Sequence, residues 1–344
     1  MTGLSMRDDY SEFYRRITSG IRKDPKGQRR LQKTDRLLRG LMECIYPLLL
    51  AEVFLTSLQR MGRTQRWIAL GVALECVLPY VLIPGLGFAL LSLVRNRANW
   101  KRPYEEWDMD PLIHRDGTGC SMPSRHAFSA AVIAMCVLRE SIPLGVLCLL
   151  LAAMVALCRV LGGVHYPADA AAGYLTGIAV GSVLGMGLTA MSLRLLLVIS
   201  ILLAASMTDL KEYRIPNRLV GALIAVYAVT FPLIEMDMEQ AGSSAGAWSA
   251  LAESLCGAML LGGGLLLLSG IFCRITGKTG MGGGDIKLLF AVGLYLGPQK
   301  GILCLLISGI LGLSYGLIGQ KSRIPFGPAI AIGTMICLFR GLLP

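Results

Sequence analysis

Two groups of residues in this chain have side chains whose types and spacing suit bond-breaking chemistry. The first lies between residues 95 and 169, where two of the three histidines stand among arginines. His126 occurs in Met122-Pro123-Ser124-Arg125-His126 and His165 in Arg159-x5-His165-x3-Asp169, with Arg95 and Arg102 upstream. A guanidinium offers a planar fork of donors matched to phosphate oxygens. Ser124 adds a hydroxyl, and backbone N–H groups at a helix start favour an anion. Phosphoryl transfer needs a nucleophile and a proton donor for the leaving group, and two histidines beside an arginine cage supply both. If the stretch after His165 is helical or tightly turned, Asp169 reaches one imidazole nitrogen, fixes the tautomer and leaves the other nitrogen to attack phosphorus. A lone histidine at a helix end usually reads as an imidazole satisfied by a carbonyl, and the four arginines reverse that expectation. His114 fits no position of this arrangement and reads as a loop residue.

The second group is a pair of aspartates. Asp209 closes an apolar run and precedes Arg214-Ile215-Pro216-Asn217, while Asp285 follows Gly280-Met281-Gly282-Gly283-Gly284 and opens the next apolar segment. Two carboxylates brought to one water cannot both ionise cheaply, so one carries a proton while the other acts as base, an arrangement that hydrolyses a peptide bond. The glycine run admits positive φ and lets an extended peptide approach the carboxylate, and Pro216 stops the local helix. Either aspartate alone reads as an N-cap after a turn. Both at the same predicted membrane boundary read as a catalytic pair.

The elements that must position these groups are membrane helices. The 344 residues are 54% hydrophobic and 16% charged, with mean hydropathy +0.61, too apolar for a soluble globular domain or for disorder. Runs without Asp, Glu, Lys or Arg cover 76–94, 141–158, 170–193, 254–273 and 301–320, each near the ~20 residues that cross a bilayer. Small residues such as Gly177, Gly181 and Gly262-Gly263-Gly264 let such helices approach closely. The ten cysteines are scattered, with no C-x-x-C, and read as reduced packing residues; no metal or cofactor is implied.

Net charge is +11, and residues 1–40 hold eleven Lys/Arg against five Asp/Glu. This is a positive-inside signal and not one for nucleic acid, and it predicts a solvated, partly helical cytoplasmic tail on anionic lipid. Apolar segments near 40–58, 68–94, 126–138, 141–158, 168–191, 194–208, 219–235, 254–273, 286–299, 301–319 and 326–343 predict roughly eleven helices. The stretch 68–94, interrupted by Pro79, Pro84 and Gly85, also fits a re-entrant or double segment. Arg214, Arg218, Lys278, Lys287, Lys321 and Arg323 mark their links as cytoplasmic, and counting back predicts a cytoplasmic N-terminus. Arg60, Arg63 and Arg66 in the link 59–67 oppose that parity for the first half. The expected fold is all-α and polytopic, two fused helical bundles: a basic tail 1–39, a membrane domain 40–190 and a second membrane domain 191–344.

The first group resembles the type 2 phosphatidic acid phosphatase family, whose pattern is K-x6-R-P, then P-S-G-H, then S-R-x5-H-x3-D. The chain reads Arg95-x6-Arg102-Pro103, Pro123-Ser124-Arg125-His126 and Cys158-Arg159-x5-His165-x3-Asp169. The resemblance implies His165 as the nucleophile forming a phosphohistidine, Asp169 as its orienter and His126 as general acid. Arg95, Arg102, Ser124 and Arg159 would be phosphate ligands, and the substrate a lipid phosphate. The departures are Arg95 for Lys, Arg125 for Gly and Cys158 for Ser; Arg125 either binds a substrate oxygen or narrows specificity. Halide oxidation in an oxyanion cage of this fold family is the rival chemistry, and a non-catalytic lipid- or phosphate-binding module is the rival function.

The second group resembles the prepilin (type IV leader) peptidase family of GxGD membrane aspartic proteases, through Asp209-x5-Ile215-Pro216-Asn217, Gly282-Gly283-Gly284-Asp285-Ile286-Lys287 and Pro325-Phe326-Gly327-Pro328. The resemblance implies Asp209 and Asp285 as the catalytic pair, a type IV or Flp-type prepilin as substrate, and the bacterial cytoplasmic membrane as location. Preflagellin peptidases and presenilin-like proteases share the GxGD element. Paired C-x-x-C motifs of the longer, N-methylating members are lacking, so cleavage without methylation is expected. A chain that is mainly a lipid phosphatase, with an inactive peptidase half, is the alternative.

Overall fold

The structure, a computed structural model, describes residues 10–60, 66–107, 109–113, 117–240, 246–277, 280–319 and 323–340. Arg63, His114, Lys278 and Lys321 lie outside these residues. Among the described residues every regular element is helical, and eight helices are long and apolar enough to cross a bilayer. The chain is a polytopic all-α membrane protein. Eight candidate crossings rather than eleven result among the described residues because 126–138 lies in a helix of 16 residues and Gly327–Phe339 is a helix of 13. In addition, 286–299 and 301–319 share one 37-residue helix interrupted at Gly297. The chain divides into two compact units, one up to residue 188 and one from residue 189.

In the first unit α1 (Tyr10–Lys23) and α2 (Pro25–Arg60) precede α3 (Arg66–Ala98), the short α4 (Pro103–Glu106), α5 (Arg125–Glu140), α6 (Ile142–Leu161) and α7 (Pro167–Ser182). The basic N-terminal segment is not a solvated tail over its described residues. Tyr10, Tyr14 and Thr18 recur every four residues and form one buried face of α1, because that spacing keeps them on one side of a helix. Tyr14 packs with Tyr10, Met109 and Tyr166, and its hydroxyl donates to Leu161 O at 3.1 Å. The charged side chains of Glu12 and Arg16 stay outside. The prolines of 68–94 do not break it: α3 runs unbroken through Pro79 and Pro84. A proline removes one ladder bond, which a membrane helix tolerates when neighbours resatisfy the freed carbonyl.

Helix α5 is the core of this unit, with all of Ala127–Val137 except Ser129 buried. It owes that position to α7, whose Gly173, Gly177 and Gly181 fall at four-residue intervals against Ser124, Phe128 and Met135. A Cβ on Gly177 would lie 2.6 Å from Phe128 O. Small residues at this spacing let two backbones touch, which is how helices associate where lipid offers no hydrophobic drive.

The second unit contains α8 (Ala190–Glu212), α9 (Asn217–Gln240), α10 (Ala247–Ala258), a π-helical turn (Met259–Gly264), α11 (Leu265–Thr276), α12 (Gly283–Gly319) and α13 (Gly327–Phe339). Its core joins Val198, Leu202 and Ala205 of α8 to Leu223 of α9, Leu288 and Val292 of α12 and Ile330 of α13. Outward-facing Leu266, Leu267, Ile310, Leu313 and Leu317 are more than half exposed, as a bundle bathed in hydrocarbon requires. A cation lies inside as well: Arg194 is buried, its guanidinium 4.7 Å from the Tyr227 ring centroid and 4.9 Å from that of Tyr295. Two ring faces partly replace the water this cation has lost.

The α5–α7 contact predicts that Gly177→Val lowers the thermal unfolding midpoint of the detergent-solubilised protein, with a cost toward the upper end of the ~1–3 kcal/mol of an overpacked core. Gly221 of α9 has open space around it, so Gly221→Ala should leave the midpoint unchanged or raise it.

Candidate active sites

The first candidate site is built where the loop after α3 meets the turn between α6 and α7. Gly163, in the left-handed region at φ 75, ends α6 and turns the chain so that His165 points inward. A Cβ there would meet the Tyr14 hydroxyl at 2.6 Å, so the turn needs glycine for both conformation and space. His165 and Asp169 are buried, and Asp169 sits in the first turn of α7, where its Oδ2 accepts from Tyr166 N at 3.2 Å. Asp169 Oδ2 lies 3.8 Å from His165 Nδ1, beyond direct hydrogen-bond reach. The Ser121 hydroxyl stands with both groups: it donates to Asp169 and lies 3.5 Å from Nδ1. Sequence reasoning paired His165 with Asp169 and missed Ser121, which no motif spacing marks.

His165 Nε2 is buried with no hydrogen-bond partner among the described residues. Burial pushes the imidazole pKa down to about 4, against the pull of Asp169 and with the help of the Arg102 and Arg159 charges. The ring is therefore neutral at physiological pH. Nδ1 faces the Ser121 hydroxyl and the carboxylate; a proton held on that side leaves the lone pair on Nε2, the form that attacks an electrophile.

Three of the arginines predicted around it, Arg95, Arg102 and Arg159, are buried, whereas Arg125 is half-buried. Arg95 Nη1 donates to Pro123 O and, at 3.5 Å, to Ser121 O. Arg102 reaches Gly119 O from Nε at 3.0 Å, Val164 O from Nη1 at 3.1 Å and Cys120 O from Nη2 at 3.4 Å. These two cations thus hold the 119–123 loop, and Arg102 ties it to the residue before His165. Arg159 Nη1 donates to Asp35 Oδ2 at 3.2 Å. The Ser124 hydroxyl, at the N-cap of α5, is buried with no partner, and Ser124 N donates to Asp169 O at 2.9 Å. His126 is half-buried in the first turn of α5. Arg125, the first residue of that helix, places its guanidinium 6.0 Å from the Phe88 ring centroid.

The second candidate site gathers the three motifs of the second unit. Asp209, in the last turn of α8, is buried, and its Oδ2 accepts from Gly327 N at 2.7 Å. Gly327 must be small, because a Cβ there would stand 3.0 Å from that oxygen. Ile215 packs beside Gly284, at 3.4 Å from the position a Cβ would take. Lys287 Nζ donates to Asn217 Oδ1 at 3.1 Å. Asp285, in the first turn of α12, is half-buried and close enough for the charge of Asp209 to act on it. The glycines before it work by size alone: none of Gly280, Gly282, Gly283 and Gly284 has positive φ. The left-handed backbone expected of this run is absent because Gly283 and Gly284 already belong to α12.

Comparison with known proteins follows the same division. The model of the type IV leader peptidase family matches residues 196–317, and that of the PAP2 superfamily matches residues 77–188. The prepilin leader peptidase/N-methyltransferase of Pseudomonas aeruginosa is 31% identical over 210 residues, 59% of this chain and 67% of that protein. The chain belongs to the type IV leader peptidase family. Proteins of the same description from Aeromonas hydrophila and Aeromonas salmonicida are 32% and 34% identical over 194 and 161 residues. Those matches cover 54% and 44% of this chain, and 61% and 50% of the relatives. The chain thus spans about half to two thirds of the length of these relatives. No solved structure matches it. The leader peptidase segment contains Asp209 and Asp285, and the PAP2 segment contains every residue predicted for the phosphate site. Asp35, paired with one of them, precedes that segment.

A buried neutral histidine makes stability pH-dependent. Between pH 6.5 and about 4 the unfolded chain protonates this residue and the folded chain does not, so stability falls as pH is lowered through that window, by up to about 3 kcal/mol. Replacing His165 by Asn should flatten this part of the pH profile of thermal unfolding; an unchanged slope would contradict the buried neutral state.

Proposed function

We propose that this leader peptidase family member is an aspartic endopeptidase that removes the leader of type IV or Flp-type prepilins at the cytoplasmic face of the bacterial inner membrane. Asp209 and Asp285 form the catalytic pair in this reading. The observation that carries it is the meeting of three separated motifs: Asp209 with Gly327, Ile215 with Gly284, and Asn217 with Lys287. One aspartate takes a proton from water as the oxygen attacks the peptide carbonyl, and the other gives a proton to the departing amine. Asp209 is anchored by a backbone N–H while Asp285 is the more exposed of the two, so their environments differ as a base and an acid require. The basic links at Arg214, Arg218 and Arg323 support a cytoplasmic placement of this end and, by parity, of the N-terminus. With no C-x-x-C pair in the chain, the proposed activity is cleavage without methylation.

The PAP2 superfamily unit is assigned a second hydrolytic activity, on a lipid phosphate. His165 Nε2 attacks phosphorus and the lipid oxygen leaves with a proton from His126. Water then cleaves the phosphohistidine with His126 as base, returning free phosphate. Arg95, Arg102, Ser124, Arg125 and Arg159 bind the phosphate oxygens and Asp169 orients the imidazole, without a metal. The unpartnered, buried Nε2 is the observation that supports a nucleophile here. A lipid substrate is favoured over halide oxidation because the site belongs to a membrane-spanning bundle.

The test is co-expression of a Flp-type prepilin with the wild-type chain and with the Asp209→Asn, Asp285→Asn and His165→Ala variants. The expected result is leader loss by mobility shift with wild type and His165→Ala, and a loss of at least about a thousandfold with either Asp variant. Phosphate release from phosphatidate vesicles should show the reverse dependence, lost in His165→Ala and kept in Asp285→Asn. Phosphate release with no prepilin cleavage would make the chain a phosphatase with an inactive peptidase half; cleavage with no phosphate release would leave the first unit a binding module.

A further inference from the structure

Asp35 is a charged residue that the PAP2 segment does not include, yet it is buried at 2% exposure in the first unit. It lies on α2, in the stretch whose composition resembles a solvated basic tail. Its Oδ2 accepts from Arg159 Nη1 at 3.2 Å and from Arg39 Nε and Nη2 at 3.1 and 3.0 Å. Arg159 is itself 3% exposed, and its charge acts on His165. A carboxylate both neutralises a guanidinium in a low-dielectric interior and fixes its direction, and removing one partner of a buried pair is far costlier than removing one of an exposed pair. Arg159 stands in the last turn of α6, on a long side chain whose rotamers one fixed carboxylate can reduce to one.

We propose that Asp35 is a positioning residue of the phosphate site: through its buried ion pair it fixes the Arg159 guanidinium beside His165, with Arg39 sharing the carboxylate charge. The inference rests on the phosphate-site reading above and adds α2 to the machinery. Asp35 touches neither substrate nor nucleophile. It acts through Arg159 alone, so its loss is felt in phosphate affinity and vanishes when Arg159 can no longer form the pair. It also gives the basic N-terminal segment a specific role, since successive turns of α2 supply Asp35 and, four residues on, Arg39.

The test uses the full-length protein in detergent micelles, with two readouts: thermal stabilisation by inorganic phosphate, giving an apparent Kd, and hydrolysis of phosphatidate, giving KM and kcat. Asp35→Ala should weaken phosphate binding and raise KM about tenfold or more, with a smaller change in kcat. Asp35→Asn, which keeps an acceptor oxygen for Arg159, should recover part of the affinity. In an Arg159→Gln background, Asp35→Ala should have no further effect on Kd. An equal loss in both backgrounds, or an unchanged Kd and KM in Asp35→Ala, overturns the proposal. Should Asp35→Ala fail to fold, the same comparison is read from Asp35→Asn against wild type and in the Arg159→Gln background. Wild type that binds phosphate without hydrolysing phosphatidate overturns the phosphatase reading while the Kd series still decides the role of Asp35; wild type that does neither overturns both.

Discussion

A charge inside a bundle surrounded by hydrocarbon has no water to return to, and the architecture of both units follows from how each buried charge is answered within the protein. Asp209 is answered by a backbone N–H at the start of α13. Asp169 is answered by the Ser121 hydroxyl and the Tyr166 N–H. Asp35 is answered by two arginines, and Arg194 by two tyrosine rings. Asp209 and Asp169 stand where helices end or begin, because there a helical protein has spare backbone donors, whereas Asp35 lies inside α2 and is answered by side chains alone. The placement of functional groups at helix boundaries is thus a consequence of the solvent as much as of the chemistry.

The two sites solve different problems with this material. At His165 the surrounding groups are almost wholly buried and interlocked, since Arg102 bridges the 119–120 loop and Val164 while Ser121 bridges the carboxylate and the imidazole environment. Such a network fixes donors before charge develops, which is where electrostatic stabilisation of a transferring phosphoryl group comes from. At the aspartates the glycines keep one approach open. Gly284 leaves room for Ile215, and Gly327 brings its amide to Asp209. A protease must admit an extended main chain, and bulk beside the carboxylates would oppose that.

Legibility followed range along the chain. The membrane helices were readable from charge-free runs, and both site groups from short spacings such as His165-x3-Asp169 and Gly-Gly-Gly-Asp285. Asp35, Ser121 and Arg194 were not readable, because each acquires meaning only from a partner far away in sequence: Arg159, His165 with Asp169, and Tyr227 with Tyr295. The N-terminal segment misled for a related reason. Its high positive charge dominated the composition, whereas Tyr10, Tyr14 and Thr18 needed only one face in four to bury. Eleven apolar segments correspond to eight candidate crossings among the described residues because hydropathy does not fix helix length at 126–138 and 327–339, and because 286–299 and 301–319 are two helices that meet at a kink at Gly297 and count as one span.

Arg125 is the departure from the family pattern that weighs most on the first unit, since a bulky cation stands where the resemblance has glycine. If its side chain filled the space at the start of α5, the buried Ser124 hydroxyl and the backbone amides there would be closed to an anion. The guanidinium instead lies 6.0 Å from the Phe88 ring centroid of α3, so the side chain leaves the helix start sideways, with its donors still available to an anion. The Ser124 hydroxyl remains buried and unpartnered behind it. A buried helix-start hydroxyl and a buried imidazole nitrogen, neither with a partner among the described residues, are groups that a phosphate oxygen and phosphorus would engage. The steric ground for reading this unit as a binding module alone is therefore removed, and the choice between module and enzyme passes to the reactivity of His165.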